Sequence, residues 1–138
     1  MKESIKQTYF KMNDLVGVTG YEQDVARFCR DAVKPYADKV EVMPLGNVIA
    51  TFNGKKPGPT VMVTAHMDEV GIVVKYITPN GFILFEKVGG VVLKTLPGRR
   101  MRFNGDNGHV IGIIGITPGH LTSPAEANAV PSSAQSYV

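Results

Sequence analysis

Thr60-Val61-Met62-Val63-Thr64-Ala65 runs directly into His66-Met67-Asp68-Glu69-Val70-Gly71. The first half is nearly continuous in apolar or β-branched residues, the composition of a strand covered on both faces. The second half places an imidazole and two carboxylates side by side where that strand should end. Residues before this stretch follow a helical and then a mixed pattern, and residues after Gly71 follow a pattern of strands and turns. The seam near residue 70 therefore divides the chain into residues 1–70, an α/β layer, and residues 71–138, a β-rich module.

Upstream, Ile5, Tyr9, Met12, Leu15 and Val16 recur at spacings of three and four, the stripe of an amphipathic helix that stops at Gly17. Thr19-Gly20-Tyr21-Glu22 has the form of a capping box, with the Thr19 hydroxyl on the Glu22 N–H and the Glu22 carboxylate reaching back. A second helix carries Val25, Phe28, Cys29 and Val33 on one face and ends near Pro35. Val40 to Met43 and Val48 to Phe52 are short strand patterns separated by the turn signal Pro44-Leu45-Gly46-Asn47.

Downstream, Ile72–Ile77 and Phe82–Val88 flank Thr78-Pro79-Asn80-Gly81, a hairpin with Asn-Gly at a turn that needs φ > 0. Arg100–Phe103 and His109–Ile116 flank Asn104-Gly105-Asp106-Asn107-Gly108, a second hairpin. Short strands at this spacing predict a small β-barrel or sandwich. From His120 onward the residues show little periodicity.

Composition narrows the function classes. The chain has 138 residues and a formal charge of +3, a small excess that drives no nucleic-acid binding. Hydrophobic residues at 43% and charged residues at 20% are ordinary for a globular chain. No apolar run approaches the roughly 18–20 residues that cross a bilayer, and the first residues lack a signal-peptide core. The single cysteine, Cys29, excludes an intramolecular disulfide and points to a reducing, cytoplasmic setting. It has the placement of a small core residue.

Ligands in α/β sheets sit beyond the C-terminal ends of strands, which is where His66 and Asp68 fall. His66 can offer a neutral imidazole nitrogen to a Zn²⁺-type ion, and Asp68 can hold an imidazole by its other N–H. Polar residues also cap strands and form turns, so from the residues alone both readings stand. His109 reads as a solvated hairpin residue and His120 as a structural histidine. Gly89-Gly90 and the Gly105–Gly108 segment lead into no helix and read as turns rather than phosphate cradles. Arg99, Arg100 and Arg102 read as a solvated strand edge.

The segment His66–Gly71, together with Lys75-Tyr76-Ile77, Asn80-Gly81-Phe82 and Val88-Gly89-Gly90, resembles the glutamyl aminopeptidase/endoglucanase-M-type family, the tetrahedral (TET) aminopeptidases. Gly17–Glu22, Leu45–Val48, Gly112–Gly115 and Pro118-Gly119-His120 agree, in the family's order. The resemblance implies the N-terminal part of an α/β catalytic domain, interrupted after its first metal-ligand motif by an inserted, barrel-like dimerisation domain. It implies a cytoplasmic metallo-aminopeptidase with two divalent ions, Zn or Co, acting on peptide substrates. It also implies a homo-oligomer in which dimers build a dodecamer. His66 would be a metal ligand, and Asp68 the catalytic-site carboxylate that orients an imidazole.

The family's remaining ligands and its Glu-Glu general-base pair follow the inserted domain, and no Glu-Glu pair occurs here. One His and one supporting Asp cannot clamp two ions roughly 3.5–4 Å apart. The 138-residue chain is accordingly expected to be inactive alone, incomplete at its C-terminal end, and poorly soluble or oligomeric. A competing reading makes residues 71–116 a non-catalytic β-barrel assembly or binding module. A third, single-strand nucleic-acid binding, would use Tyr76, Phe82, Phe85 and Phe103 as stacking positions. Side-chain preference for the substrate is not encoded in these residues.

Overall fold

The computed structural model describes residues 2–116, 118–123 and 136–137. The chain divides into two units, Met1–Glu69 and Val70–Val138.

In the first unit, α1 spans Lys2–Asn13 and stops before its apolar stripe does. Ile5 and Tyr9 are exposed, while Met12, Leu15 and Val16 are half-buried. Beyond the helix, Glu69 engages both polar groups of Gly17. The Glu69 N–H donates to Gly17 O at 2.7 Å, and the Gly17 N–H donates to Glu69 Oε1 at 3.3 Å. Val18 and Glu69 thereby form a parallel bridge. A glycine is required here by close approach, since a Cβ on Gly17 would lie 2.8 Å from Val25 Cγ2.

α2 covers Gln23–Val33, with Val25 and Ala26 buried and Phe28, Cys29 and Val33 half-buried, the face its spacing predicts. The Lys34 N–H closes the last turn on Arg30 O before Pro35 ends the helix. The helix lies against β1 (Lys39–Val42) and β2 (Val48–Thr51), an antiparallel pair in register from Lys39↔Thr51 to Val42↔Val48.

The expected buried strand at Thr60–Ala65 does not form. Residues 53–68 pair with no strand among the described residues, and Val61, Met62 and Val63 are 79%, 83% and 91% exposed. A strand covered on both faces takes hydrogen bonds from neighbours on its edges. Here it pairs with neither β1 nor β2, whose sheet holds those two strands among the described residues. Composition alone could not supply those neighbours.

In the second unit, β3 (Gly71–Ile77) and β4 (Ile83–Val88) form the first predicted hairpin, with a register shift between Val74 and Tyr76. Its turn is closed by Thr78, whose hydroxyl accepts the Phe82 N–H at 2.9 Å. Only Gly81 takes a positive φ, 85°, and Asn80 does not. β5 (Arg100–Gly105) and β6 (Gly108–Ile113) form the second, extended to a two-residue turn by the pair Gly105↔Gly108. Arg100 and Arg102 alternate outward while Met101 and Phe103 are half-buried, as a solvated strand face requires. β7 (Gly115–Ile116) pairs with β8 (Ser136–Tyr137), which also pairs with β4. The unpatterned tail thus contains a strand, while residues 124–135 and 138 of it lie outside the described residues. The core of this unit is Phe85, Ile114 and Leu96, with Ile72, Val91, Leu93 and Met101 packed against it. Phe85 is 1% exposed, which removes it from the stacking positions of the nucleic-acid reading.

Candidate functional site

The His66–Glu69 segment carries little regular structure, yet it is fixed at its C-terminal end. Glu69, an exposed residue with no obvious partner in the sequence, fastens the segment to Gly17 by the two hydrogen bonds above. Glu69 thus holds the segment at the backbone of Gly17.

Two residues earlier, Asp68 gathers two other side chains. The Thr19 hydroxyl donates to its Oδ2 at 2.8 Å. His66 Nδ1 lies 3.0 Å from its Oδ1 and 3.0 Å from its backbone O. Both neighbours of Nδ1 are acceptors, so Nδ1 carries a proton and donates, which in the neutral ring places the lone pair on Nε2. The Thr19 hydroxyl, opposed by partial desolvation and assisted by the His66 ring, holds the Asp68 carboxyl below the usual carboxylate range. The His66 side chain is 86% exposed, so Asp68 is what restrains the ring.

This chemistry suits one imidazole ligand to a divalent ion: a neutral ring, its tautomer set by a carboxylate, its other nitrogen open. The donor set goes no further, since the described residues contain no group of three or more His, Cys, Asp or Glu able to hold a metal ion.

The loop from Gly17 to Glu22 departs from the expected capping box. The Thr19 hydroxyl goes to Asp68 instead of the Glu22 N–H, and the Glu22 carboxylate accepts the Gly20 N–H at 2.7 Å. Glu22 occupies the N-cap of α2 without a side-chain cap bond. The exchange is favourable because a hydroxyl on an ionised carboxylate makes a stronger bond than one on an amide N–H. Thr19 is the site residue that sequence reasoning missed. It lies 49 residues from Asp68, and its local signature was that of a cap.

His109 sits on the second hairpin with Nδ1 2.8 Å from Asn104 Oδ1, a turn-stabilising contact. His120 lies exposed in a single 3-10 turn at Gly119–Leu121. Cys29 is a free thiol, half-buried on α2, and burial pushes its pKa up, away from nucleophilic character. No helix among the described residues is long and apolar enough to cross a membrane.

Known proteins resemble this chain along most of its length. It is 38% identical over 117 residues to the lysyl aminopeptidase of Pyrococcus furiosus, covering 84% of this chain and 33% of that one. Its structure matches a TET aminopeptidase from a marine-sediment Thaumarchaeota archaeon with a TM-score of 0.89 and 29% identity, over 99% of this chain and 38% of that one. The Pyrococcus horikoshii TET1 peptidase, which can assemble into a tetrahedron or a large octahedral shell, matches with a TM-score of 0.79 and 29% identity, over 96% of this chain and 39% of that one. The chain spans about a third of the length of the curated relatives it matches. The family model for the M42 glutamyl aminopeptidases matches residues 46–138, more than half of the chain, and the chain belongs to that family.

Proposed function

We propose that this chain is the front part of a metal-dependent aminopeptidase that removes N-terminal residues from peptides. The observation that carries the reading is the His66–Asp68 pair. A protonated Nδ1 on a carboxylate leaves Nε2 directed for a cation, in a chain of the M42 family. In this reading His66 binds one of two divalent ions, zinc or cobalt, and Asp68 keeps the ring in its binding tautomer. A dinuclear centre supplies an activated water and polarises the scissile carbonyl. The part played by these residues is to present one fixed imidazole, with Asp68 retaining its negative charge to support the ring. Residues 1–70 are then the opening part of the catalytic domain.

Residues 71–138 act in this reading as the barrel-like dimerisation module, and the protein is a homo-oligomer. The tetrahedral and octahedral shells of the Pyrococcus horikoshii relative support this. So do Val73, Val74, Tyr76, Val110, Ile111 and Ile113, all exposed on short strands of that unit. The free thiol at Cys29 supports a reducing, cytoplasmic location.

The test is the intact mass and metal content of the natural gene product, with aminopeptidase activity measured on the same sample. The reading expects about two divalent ions per chain, hydrolysis from the amino terminus, and loss of about one ion in His66→Ala. It expects the 138-residue chain alone to hydrolyse nothing. A gene product that assembles but binds no metal and cleaves no peptide would replace it with the non-catalytic assembly reading.

A further inference from the structure

We propose that Thr19 is a positioning residue for His66, acting through Asp68. The proposal rests on the reading of His66 as a metal ligand and adds a residue to it.

A carboxylate anchored at one oxygen can still swing about its terminal bond. Asp68 is anchored at both, by Thr19 at Oδ2 and by His66 at Oδ1. The second anchor fixes the carboxylate plane, and with it the direction from which the His66 Nδ1–H is held. An imidazole this exposed has few packing contacts to replace that restraint.

Thr19 is itself held in place. Its loop is tied to the His66–Glu69 segment through Gly17 and the Val18–Glu69 bridge. The Tyr21 N–H donates to Val18 O at 2.7 Å, closing a turn around Thr19, and the Gly20 N–H is taken by Glu22. The β-branched side chain adds a restricted χ1. The hydroxyl is thus a prepositioned donor, and the helix does not compete for it because α2 starts without a side-chain cap.

Groups that orient a metal-binding imidazole typically contribute 10–100-fold in metal affinity. Thr19 acts one bond further out, so the lower end, about 10-fold, is expected. Thr19→Val keeps the shape and removes the donor, whereas Thr19→Ser keeps the donor. Thr19 is exposed, so neither variant disturbs the core. Two readouts separate the possibilities. The first is the ¹⁵N spectrum of the His66 ring without metal, where wild type and Thr19→Ser show the Nδ1–H tautomer and Thr19→Val a mixture. The second is Zn²⁺ affinity of the gene product by competition with a chelating indicator, about 10-fold weaker in Thr19→Val and near wild type in Thr19→Ser. A Thr19→Val protein matching wild type in both, or a Thr19→Ser protein as impaired as Thr19→Val, overturns the proposal. Wild-type protein that binds no Zn²⁺ overturns the metal-ligand reading beneath it. The ring spectrum still decides the link from Thr19 to His66.

Discussion

Replacing Gly17 by alanine tests whether close approach, rather than backbone freedom, makes this position a glycine. Gly17 does not occupy the left-handed region, so alanine can adopt its backbone. Its Cβ, however, would meet Val25 Cγ2 at 2.8 Å and Met67 O at 3.4 Å. Optimal carbon contacts lie at about 3.5–4.0 Å, so the methyl group must displace its neighbours by most of an ångström. Val25 has little room to yield: it is 5% exposed, and in a helix its χ1 has one strongly preferred well. Overpacking of this kind costs about 1–3 kcal/mol, and the reduced freedom of the unfolded chain returns about 0.4–1 kcal/mol. The net expectation is a loss of about 1–2 kcal/mol, read as a lower urea midpoint at constant m-value by far-UV circular dichroism. Hydrogen exchange at the Glu69 amide, which donates to Gly17 O, should quicken at the same time. The decisive measurement is the cycle with Val25→Ala. Removing Cγ2 makes room for the new methyl, so Gly17→Ala should cost almost nothing in that background, a coupling of about 1–2 kcal/mol. Additivity in the cycle, or a single variant within about 0.5 kcal/mol of wild type, would refute the reasoning.

Phe85→Ala should remove about 3–5 kcal/mol, because Phe85 is sealed against Leu96 and Ile114, and a loss below about 1 kcal/mol would show that this core can collapse around the void. Asp31 is held below the usual carboxylate range by the Arg30 guanidinium, which donates at 2.8 Å. A depressed folded pKa means that the pair contributes above the unfolded value and is lost as pH falls through the folded one. Arg30→Gln should therefore move the Asp31 carboxyl upward in an NMR titration, with high salt shrinking the difference, and an unchanged titration would count against the pairing. Cys29, half-buried with a raised pKa, should react with iodoacetamide far more slowly in the native chain than in urea, and equal rates would place the thiol at the surface.

Local signals survived into the structure wherever short-range chemistry decides the outcome. The α2 face is set by a repeat of three and four, and the β3–β4 turn by Gly81, so neighbouring residues carry enough information. The failures share a different cause. Thr60–Ala65 has strand composition, but a strand exists only with its partners, and Val61–Val63 stand exposed where no described strand pairs with them. α1 ends at Asn13, short of Leu15 and Val16, and the Gly17 backbone beyond it is bound by Glu69 from 52 residues away.

The site divides along the same line. His66 and Asp68 are two residues apart, and their pairing follows from chain geometry that a sequence can express. Thr19 reads as a helix cap because that local role is available to it, and Glu69 has no neighbour in the sequence that announces its partner 52 residues away. The fold uses both at long range. It assigns Glu69 to the backbone of Gly17 and Thr19 to the carboxylate of Asp68, so that the loop between the two helices and the segment bearing His66 are tied twice. Glu69 sets the position of the segment, while Thr19 sets the orientation of the carboxylate upon it. Loss of the first tie should loosen both chain segments, whereas loss of the second should leave the fold intact and disturb only the imidazole. Gly17→Ala and Thr19→Val therefore fail in different ways, one visible in the unfolding midpoint and the other in the His66 ring spectrum. Variants that failed alike would mean that the two ties form one support.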